Sequence, residues 1–300
     1  MDDKIKRSPL FYVGDKYKLI KEIRQYFPKN INNFIEPFVG GGSVFLNIKA
    51  NKYLLNDVDK NIYKLHEFLD SQKDINSFLA KVLKITKKYN LSKSFTQDIV
   101  PLELKQKYKK TYYAKFNKTG YENIRKDFNN ANKKDFLVLY ILLIYGFNRI
   151  LRFNSKNEFN LPVGNVDFNK NVVSALTNYF DFTSKNIIEL SNLDFKNFLE
   201  KISFEKDDFV YLDPPYLISF SEYNKIWNEE KELELLNFLD ELNKQNIKFA
   251  ISNITAYKGR KNEIFINWMR KYNFKNIKSN YISYHDNSQK ETNEVLVFNY

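Results

Sequence analysis

The segment DFVYLDPPY at residues 208–216 contains the side chains with the clearest chemical potential in the sequence. Its apolar run FVYL is typical of a strand that is buried on both faces of a parallel sheet. Pro214 and Pro215 cannot donate hydrogen bonds to a neighbouring strand, so the chain must leave the sheet rigidly. Ligands of open α/β sheets bind just beyond the carboxyl ends of the strands. Asp213 and Tyr216 are therefore predicted to lie on a stiff ledge beside a ligand; a surface turn is the alternative.

A second pattern, FIEPFVGGGSVFL at residues 34–46, predicts a strand, a glycine-rich turn and a helix that begins at Ser43. Glycines let the backbone approach a ligand closely, and a helix N-terminus presents N–H groups to it. No Gly-Lys-Ser/Thr follows, and the glycine spacing does not match the dinucleotide fingerprint. The pattern thus argues against both of those nucleotide-binding loops, and a tight turn without a ligand is the alternative.

Two further strands are predicted to end close to acids. The segment YLLND at residues 53–57 ends in Asp57, which is placed to bind ribose hydroxyls; capping of the next helix by Asp57 or Asp59 is the alternative. The segment NIIELSNLDF at residues 186–195 predicts a strand that ends near Asp194, followed by a helix. Because the carboxyl ends of parallel strands meet at one sheet edge, these groups could hold an adenosyl cofactor beside a planar substrate.

Such an edge predicts chemistry on a planar amine. Asp213 and the backbone carbonyl of Pro214 would accept hydrogen bonds from an exocyclic amine, and Tyr216 would stack on the ring that bears it. This arrangement would align the nitrogen lone pair with an activated methyl group, so positioning would supply much of the acceleration. Neither a metal nor a covalent intermediate is required.

Composition excludes several classes of protein. Hydrophobic residues make up 43% of the 300 residues, and no apolar run approaches the roughly 18 residues of a membrane span. The start MDDKIKRSPL lacks an apolar signal-peptide core, so a cytoplasmic protein is expected. The absence of Cys excludes disulfides and the zinc site of base deaminases. His66 and His285 show no metal-ligand spacing, and each is expected to be structural or at the surface.

Charge points to a polyanionic partner. The net charge is +12 with a pI of about 9.3, as expected for a protein that binds nucleic acid; a lysine-rich proteome is the alternative. Residues 61–146 are predicted to be helical and rich in Lys, with a buried helix within residues 136–147. Residues 147–165 then become Asn-rich and turn-prone, and they display Arg149 and Arg152, the residue type that reads guanine.

These segments resemble the amino-methyltransferases with an Asp-Pro-Pro-Tyr motif, specifically the DNA adenine methyltransferases of the Dam type. The resemblance covers most of the chain and includes, in order, YVGDKY, FIEPFVGGGSVF, NDVDKN, FNRILRFNSKNEFNLPVGN, DFVYLDPPY and NEVLVFNY. It implies an α/β fold: a Rossmann-like S-adenosylmethionine-dependent methyltransferase sheet with a mainly helical target-recognition insert. The catalytic domain would comprise residues 1–60 and 173–300, and the DNA-binding domain residues 61–172.

The resemblance implies transfer of a methyl group from S-adenosylmethionine to N6 of an adenine flipped out of duplex DNA, with no metal. The residues implied to engage the target adenine are Asp213, Pro214, Pro215 and Tyr216. Those implied to bind the cofactor are Tyr12, Lys16, Glu36, Pro37, Phe38, Gly40, Gly42, Ser43, Asp57, Asp194 and Phe195. Within this set the resemblance assigns the methionine part to the glycine turn, the ribose to Asp57, and the adenine to Asp194 and Phe195.

The implied DNA contacts lie in the recognition insert and are Phe147, Asn148, Arg149, Ile150, Arg152, Asn160 and Pro162. Phe147 would wedge into the duplex, Arg152 would read guanine, and Ile150 and Pro162 would make apolar base contacts. Arg152 and the segment NEFNLPVG predict the target GATC. The chain departs from the family at Asp15, where Gly is usual, and at Arg149, where Gly is also usual.

The resemblance implies double-stranded DNA as the partner and no membrane binding. Oligomeric state is not readable from the sequence, and a monomer that acts on each strand in turn is the expectation. The resemblance leaves open whether a companion restriction endonuclease acts separately. Methylation of RNA adenine or of a protein glutamine is an alternative, since related motifs serve those substrates. A DNA-binding homologue without catalytic activity is a further alternative, against which the intact Asp-Pro-Pro-Tyr motif argues.

Overall fold

The computed structural model describes residues 4–96, 100–219, 227–277 and 293–300. The chain divides into two compact units. The sheet unit comprises Lys18–Val39, Asn47–Val58 and Asn186–Tyr300. The helical unit comprises Met1–Tyr17, Gly40–Leu46 and Asp59–Lys185.

The strands of the described residues all belong to one sheet in the sheet unit. They are β1 (Asn33–Glu36), β2 (Lys52–Asn56), β3 (Ile187–Ser191), β4 (Phe209–Leu212), β5 (Lys248–Tyr257), β6 (Arg260–Lys261), β7 (Asn273–Ile277) and β8 (Asn293–Phe298). Their order is β3-β2-β1-β4-β5-β8-β7, with β6 paired to β5. Strands β3 to β5 of this path run parallel, whereas β8 is antiparallel to both β5 and β7. The strand order reverses between β1 and β4, which is where open α/β sheets bind ligands.

The described chain also contains ten α-helices. They are α1 (Ile20–Ile23), α2 (Lys60–Ser71), α3 (Ile75–Lys88), α4 (Leu102–Tyr108), α5 (Tyr112–Asn130), α6 (Phe136–Tyr145), α7 (Lys170–Lys185), α8 (Phe195–Glu200), α9 (Glu229–Lys244) and α10 (Glu263–Met269). Helices α2 to α7 belong to the helical unit, and the other four belong to the sheet unit. The prediction of a mixed α/β fold around a mainly parallel sheet is confirmed.

Strand β4 is covered on both faces, as its apolar sequence predicts. All four of its side chains are buried. Val210 and Leu212 point into a hydrophobic cluster that includes residues of α8, α9 and α10. Phe209 and Tyr211 point the other way, and their ring centroids lie 4.9 and 5.2 Å from that of Phe27. Side chains alternate along a strand, so burial of consecutive residues requires packing against both faces.

Helix α6 lies in the interior of the helical unit. Eight of its ten residues are buried, as expected for a helix that is apolar on all sides. Asp135 caps its N-terminus by accepting hydrogen bonds from the backbone N–H groups of Leu137 and Val138. The Tyr140 ring contacts Phe78 with ring centroids 5.9 Å apart. The prediction of a buried helix here is confirmed, and none of the described helices combines the length and apolarity needed to cross a membrane.

Three local predictions need correction. The α-helix expected from Ser43 is a single 3-10 turn, Phe45–Asn47, because β2 begins only a few residues later. The strand expected to end near Asp194 ends at Ser191; Asp194 instead caps α8 by accepting a hydrogen bond from the backbone of Lys196. The segments KFAISN at residues 248–253 and KNEIFINWMRKY at residues 261–272 predict a strand and a helix; the strand is longer, Lys248–Tyr257, and the helix is shorter, Glu263–Met269.

Two further predictions concern the cap of α2 and the C-terminal segment. Asp59, one of the two acids proposed to cap the helix after β2, does cap α2, and its carboxylate accepts a hydrogen bond from the Asn61 backbone. The segment SNYISYHDNSQKETNEVLVFNY at residues 279–300 predicts a hairpin, part of which lies outside the described residues; His285 lies outside them as well. The described end of that segment is β8, which pairs with β5 and β7.

Candidate active site

The Asp-Pro-Pro-Tyr segment follows β4 at the carboxyl end of the sheet. The Tyr216 hydroxyl lies 2.9 Å from Oδ1 of Asp213 and 3.2 Å from Oε1 of Glu294. Glu294 lies on β8 and is only 1% exposed. A tyrosine hydroxyl carries one proton, so it donates to one of these two carboxylates at a time. The Tyr216 ring is therefore oriented by two acids from different strands.

The ends of β1, β2 and β3 are tied together by asparagine amides. Nδ2 of Asn56 donates to the carbonyls of Pro37 and Leu193, each at 3.0 Å. Nδ2 of Asn192 donates to the carbonyl of Asp57 at 2.7 Å. Backbone carbonyls beyond a strand end have no ladder partner, so these amides satisfy groups that would otherwise need water. They fix the loop that carries Asp57, the residue predicted to bind ribose, and the loop that precedes Asp194.

Three aromatic rings cluster beside these loops in the sheet unit. Phe38 and Phe195 have ring centroids 5.5 Å apart, and Trp227 lies 5.6 Å from each. The Trp227 indole N–H donates to the buried Glu232 at 2.6 Å. Burial raises the pKa of Glu232, and hydrogen bonds from Trp227, Asn262 and Asn253 act in the opposite direction. Phe38 and Phe195 are thus brought together, as expected for two residues of one cofactor site.

Two acids predicted to bind the cofactor, Asp194 and Glu36, lie within two residues of Phe195 and Phe38 in the sequence. One oxygen of Asp194 accepts the capping hydrogen bond of α8, and the other lies 3.4 Å from Nζ of Lys231. Glu36 is the last residue of β1 and is only 2% exposed. Burial of a carboxylate is costly, and buried acids at strand ends are often part of binding sites.

The glycine-rich turn belongs to the helical unit. Gly40 and Gly42 adopt φ values of 47° and 74°, which residues with a side chain rarely adopt. A Cβ atom on Gly41 would lie 2.5 Å from Cβ of Tyr12, so this position has no room for a side chain. The Ser43 hydroxyl oxygen accepts a hydrogen bond from the backbone N–H of Lys16 at 3.1 Å. The structure therefore brings the predicted cofactor residues of this unit together around the turn.

His66 of α2 lies directly against this turn. It is fully buried, with Nε2 2.9 Å from the carbonyl oxygen of Gly40 and Nδ1 3.0 Å from the Tyr179 hydroxyl. A carbonyl only accepts, so Nε2 carries the proton and Nδ1 accepts from Tyr179. Burial lowers the pKa of His66 to about 4, despite an opposing contribution from Gly40. The neutral ring is therefore a structural support of the turn, consistent with one of the two roles predicted for it.

The predicted DNA contacts lie on an irregular segment of the helical unit that two isolated antiparallel bridges hold, Gly146 to Val163 and Phe153 to Phe159. Phe147 is 48% exposed, and its backbone N–H donates to the carbonyl of Pro162 at 2.9 Å. Single exposed apolar side chains are common at protein surfaces, so this exposure leaves the ring accessible to DNA without itself indicating a contact.

Arg152 and Asn160 form a pair within this segment. Nε of Arg152 donates to Oδ1 of Asn160 at 2.8 Å, and Nη2 donates to the Asn160 carbonyl at 2.7 Å. A guanidinium carries five N–H groups in a planar fork. Asn160 therefore fixes one edge of the fork and leaves the other edge for further acceptors.

Arg149 takes a different direction from Arg152. Its guanidinium carbon lies 4.0 Å from the ring centroid of Phe11, and it and Asn148 both have positive φ values. Ile150 is partly buried. The structure thus pairs Arg152 with Asn160 and Phe147 with Pro162, whereas Arg149 is stacked on an aromatic ring outside the segment.

Three residues that contribute to these sites were absent from the predicted set. Glu294 lies in the segment NEVLVF, which the resemblance included, but its contact with Tyr216 depends on the pairing of β8 with β5. Trp227 and His66 carried no sequence signal beyond their residue types. In the described part of the chain, no group of three His, Cys, Asp or Glu side chains could hold a metal ion.

A mainly parallel sheet with an acid, an aromatic cluster and an Asp-Pro-Pro-Tyr segment at its carboxyl edge defines a Rossmann-like α/β protein of the methyltransferase class. The model of the D12 class of N6 adenine-specific DNA methyltransferases matches residues 12–283. The chain belongs to that family. The family resemblance and the enzyme class inferred from the sequence are therefore confirmed at the level of the family.

Curated relatives agree with the family. The modification methylase StsI of Streptococcus sanguinis is 34% identical over 98% of this chain and 43% of its own length. The type II methyltransferase M.FokI of Planomicrobium okeanokoites is 33% identical over the same shares. The DNA adenine methylase of Haemophilus influenzae is 31% identical over 71% of this chain and 65% of its own length. The chain thus spans less than half the length of the first two relatives.

Proposed function

We propose that this chain transfers a methyl group from S-adenosylmethionine to N6 of adenine in double-stranded DNA. The observation that carries the proposal is the Asp213 to Tyr216 segment at the end of β4. It follows a strand that neighbours β1 at the reversal of strand order, where sheets of this type bind ligands. Membership of the D12 class supports the reaction and the base.

The residues around the predicted cofactor positions fit S-adenosylmethionine. The aromatic cluster of Phe38, Phe195 and Trp227 offers flat apolar surface for an adenine ring, and Asp57 offers a carboxylate for ribose hydroxyls. The glycine turn, with no room for a side chain at Gly41, presents backbone to a ligand. We assign cofactor binding to Tyr12, Lys16, Glu36, Pro37, Phe38, Gly40, Gly42, Ser43, Asp57, Asp194 and Phe195. When bound, the cofactor supplies a methyl group on a positively charged sulfur.

The protein's own contribution to the reaction is positioning. Asp213 and the Pro214 carbonyl accept hydrogen bonds from the N6 amine, which turns the nitrogen lone pair away from them. Pro215 keeps this backbone rigid, and the Tyr216 ring stacks on the adenine. The amine is otherwise engaged in base pairing, so the adenine must first leave the helix.

Recognition of the flanking sequence is assigned to the helical unit. Arg152, oriented by Asn160, reads guanine with the outer edge of its guanidinium. Phe147 inserts where the adenine has left, with Ile150 and Pro162 in apolar contact with neighbouring bases. These residues favour GATC as the target. We assign DNA recognition to residues 61–172 and catalysis to residues 1–60 and 173–300.

The net charge supports this assignment. The helical unit contains 27 Lys and Arg against 15 Asp and Glu, whereas the sheet unit contains 21 of each. The whole net charge of +12 therefore belongs to the unit proposed to bind DNA. We further propose that the chain acts as a monomer. We also propose that a restriction endonuclease for the same sequence acts separately, and the names of the two methylase relatives support this second proposal.

The test is transfer of labelled methyl groups to a duplex that contains GATC and to a duplex in which GATC is scrambled. Transfer confined to the first duplex establishes the reaction and the target together. Asp213→Asn should abolish transfer, while Asp207→Asn, a matched change at an exposed turn residue, should not. Incorporation into RNA or protein instead of DNA, or DNA binding without transfer, would overturn the proposal.

A further inference from the structure

Two arginine side chains of the helical unit share one aromatic ring. The guanidinium carbons of Arg7 and Arg149 lie 4.9 and 4.0 Å from the ring centroid of Phe11, and Arg7 also lies 4.7 Å from that of Tyr17. Two atoms that are each within about 5 Å of one point are less than about 10 Å apart, which is one Debye length at 0.1 M salt. The two positive charges therefore repel each other with little screening.

Within the described part of the chain, no carboxylate forms an ion pair with either of these two charges. Among the described residues, neither guanidinium makes a hydrogen bond or an ion pair, and Nε of each is buried without an acceptor. Asp167 is the acid whose charge acts on Arg149. Its carboxylate is already engaged, because it accepts hydrogen bonds from the backbone N–H and the hydroxyl of Ser94 at 2.6 and 3.0 Å. Burial lowers the pKa of Arg149 and the charge of Arg7 also lowers it, while Tyr140 and Asp167 act in the opposite direction. The cluster carries positive charge that an anion would stabilise.

The backbone at this cluster is strained. Phe11, Asn148 and Arg149 have φ values of 49°, 54° and 52°, in the left-handed region that bulky residues rarely occupy. Such conformations persist where the surrounding structure imposes them, and they concentrate at functional sites. Both arginines are partly exposed, so a ligand can reach them from solvent.

We propose that Arg7 and Arg149, held around Phe11, bind one phosphate of the DNA backbone. The inference rests on the proposed function, because it takes DNA as the substrate. The planar fork of arginine matches the oxygens of a phosphate: one guanidinium balances its single negative charge, and the second donates to the acceptors that remain. Phosphate contacts position a protein on the duplex and carry no base information. The cluster therefore sets affinity and register, and base recognition stays with Arg152.

The test is the salt dependence of DNA binding by Arg7→Gln and Arg149→Gln. The control is Lys185→Gln, which makes the same charge change in the same unit at a side chain already paired with Asp181. Each arginine variant should weaken binding about tenfold and reduce the slope of log K against log salt by about 1, equally for target and scrambled duplexes. The double variant should lose less than the two single losses combined, because both side chains bind one phosphate.

Three outcomes would overturn the proposal. Unchanged salt slopes in both arginine variants would show that neither side chain binds a phosphate. A loss confined to one base pair of the target would show base reading. A melting temperature lowered by several degrees, with an unchanged salt slope, would assign the cluster a structural role. If the wild-type protein neither binds nor methylates DNA, the proposed function fails first, and the two failures are thereby distinguished.

Discussion

At the scale of single residues, Tyr216 combines two requirements of the proposed reaction. Its ring must lie flat against an adenine, and its hydroxyl is anchored between Asp213 and Glu294. Because Glu294 comes from β8, an antiparallel strand added to the parallel sheet, the aromatic platform is held from outside the Asp-Pro-Pro-Tyr segment. Glu294 touches neither substrate nor cofactor in this scheme, and we regard it as a positioning residue.

Tyr216→Phe separates these two requirements because it keeps the ring and removes the hydroxyl. We expect kcat for methyl transfer to fall about tenfold, which corresponds to about 1.4 kcal/mol for a lost hydrogen bond to a charged group, with little change in KM for DNA. Steady-state kinetics on a duplex target measure both quantities. Tyr63→Phe removes a hydroxyl bonded to Glu67 on α2 and serves as the control. An unchanged kcat in Tyr216→Phe would contradict the anchoring role.

Arg152 and Asn160 make a second prediction at this scale. Arg152→Ala should cost roughly 1–3 kcal/mol of discrimination at a single guanine of the target. Asn160→Ala leaves the guanidinium intact but removes the acceptor on its Nε, so discrimination at the same guanine should weaken to a smaller extent. Competition between duplexes that differ at one base pair measures the loss. If the two variants affect different base pairs, the pair does not act as one reader.

At the scale of secondary-structure elements, His66 connects α2, α7 and the glycine turn. Its ring donates to Gly40 and accepts from Tyr179 of α7, so each nitrogen of the neutral form has a partner. Protonation would place a second donor against a tyrosine hydroxyl in a buried site. The folded state therefore disfavours the protonated ring, in agreement with its lowered pKa.

This arrangement predicts a loss of stability in mild acid. The pKa of His66 is about 4 in the folded protein against 6.5 for the ordinary side chain. The unfolded chain thus binds the proton first, so the stability contribution is complete above pH 6.5 and declines as the pH falls toward 4. We expect a loss of about 2 kcal/mol by pH 5. Urea unfolding at pH 7 and pH 5 measures it.

The control for this prediction is His66→Gln, whose amide can still donate to Gly40 but does not titrate. The difference between wild type and variant should shrink between pH 7 and pH 5 by the amount that protonation of His66 costs. An identical pH dependence in both proteins would show that His66 does not titrate in this range.

At the scale of the whole molecule, charge is divided unequally between the two units. The excess of Lys and Arg lies in the helical unit, and the sheet unit is neutral. Catalysis on a neutral base needs no net charge, whereas a phosphate backbone attracts cations over long range. Under the proposed function, this division predicts that non-specific DNA affinity resides in the helical unit.

This division predicts where charge changes affect binding. A double variant of two exposed lysines of α5, Lys115→Gln and Lys118→Gln, should lower the salt slope for a scrambled duplex. A double variant of the sheet unit, Lys244→Gln and Lys271→Gln, should leave it unchanged. Wild-type affinity should fall on the order of 10³-fold or more between 50 and 200 mM salt if about six phosphates are neutralised. Fluorescence anisotropy measures these values, and equal slopes in both variants would contradict the division.

Local sequence patterns predicted the structure correctly where the feature depends on the residues of a single helix or strand. Burial of β4 follows from its four apolar residues and the prolines behind them, and α6 follows from its apolar run and the cap Asp135. The prediction of an α-helix after the glycine turn was wrong. The short distance from the turn to β2 limits the connecting segment, and the composition of the turn does not reveal that distance. Asp194 was placed in the correct segment, but its capping of α8 depends on where β3 ends.

The segment DFVYLDPPY shows what the sequence by itself determined and what only tertiary structure decided. Its residue types establish a rigid strand end with an acid and an aromatic ring, because those features depend on neighbouring residues. Only the fold distinguishes the roles of its two acids, Asp208 and Asp213. Asp208 is buried and accepts hydrogen bonds from the backbone and side chain of Asn33, which fastens β4 to β1, while Asp213 at the other end contacts Tyr216. The contact between Tyr216 and Glu294 was likewise decided by strand pairing, since residues far apart in sequence meet only when the sheet brings them together.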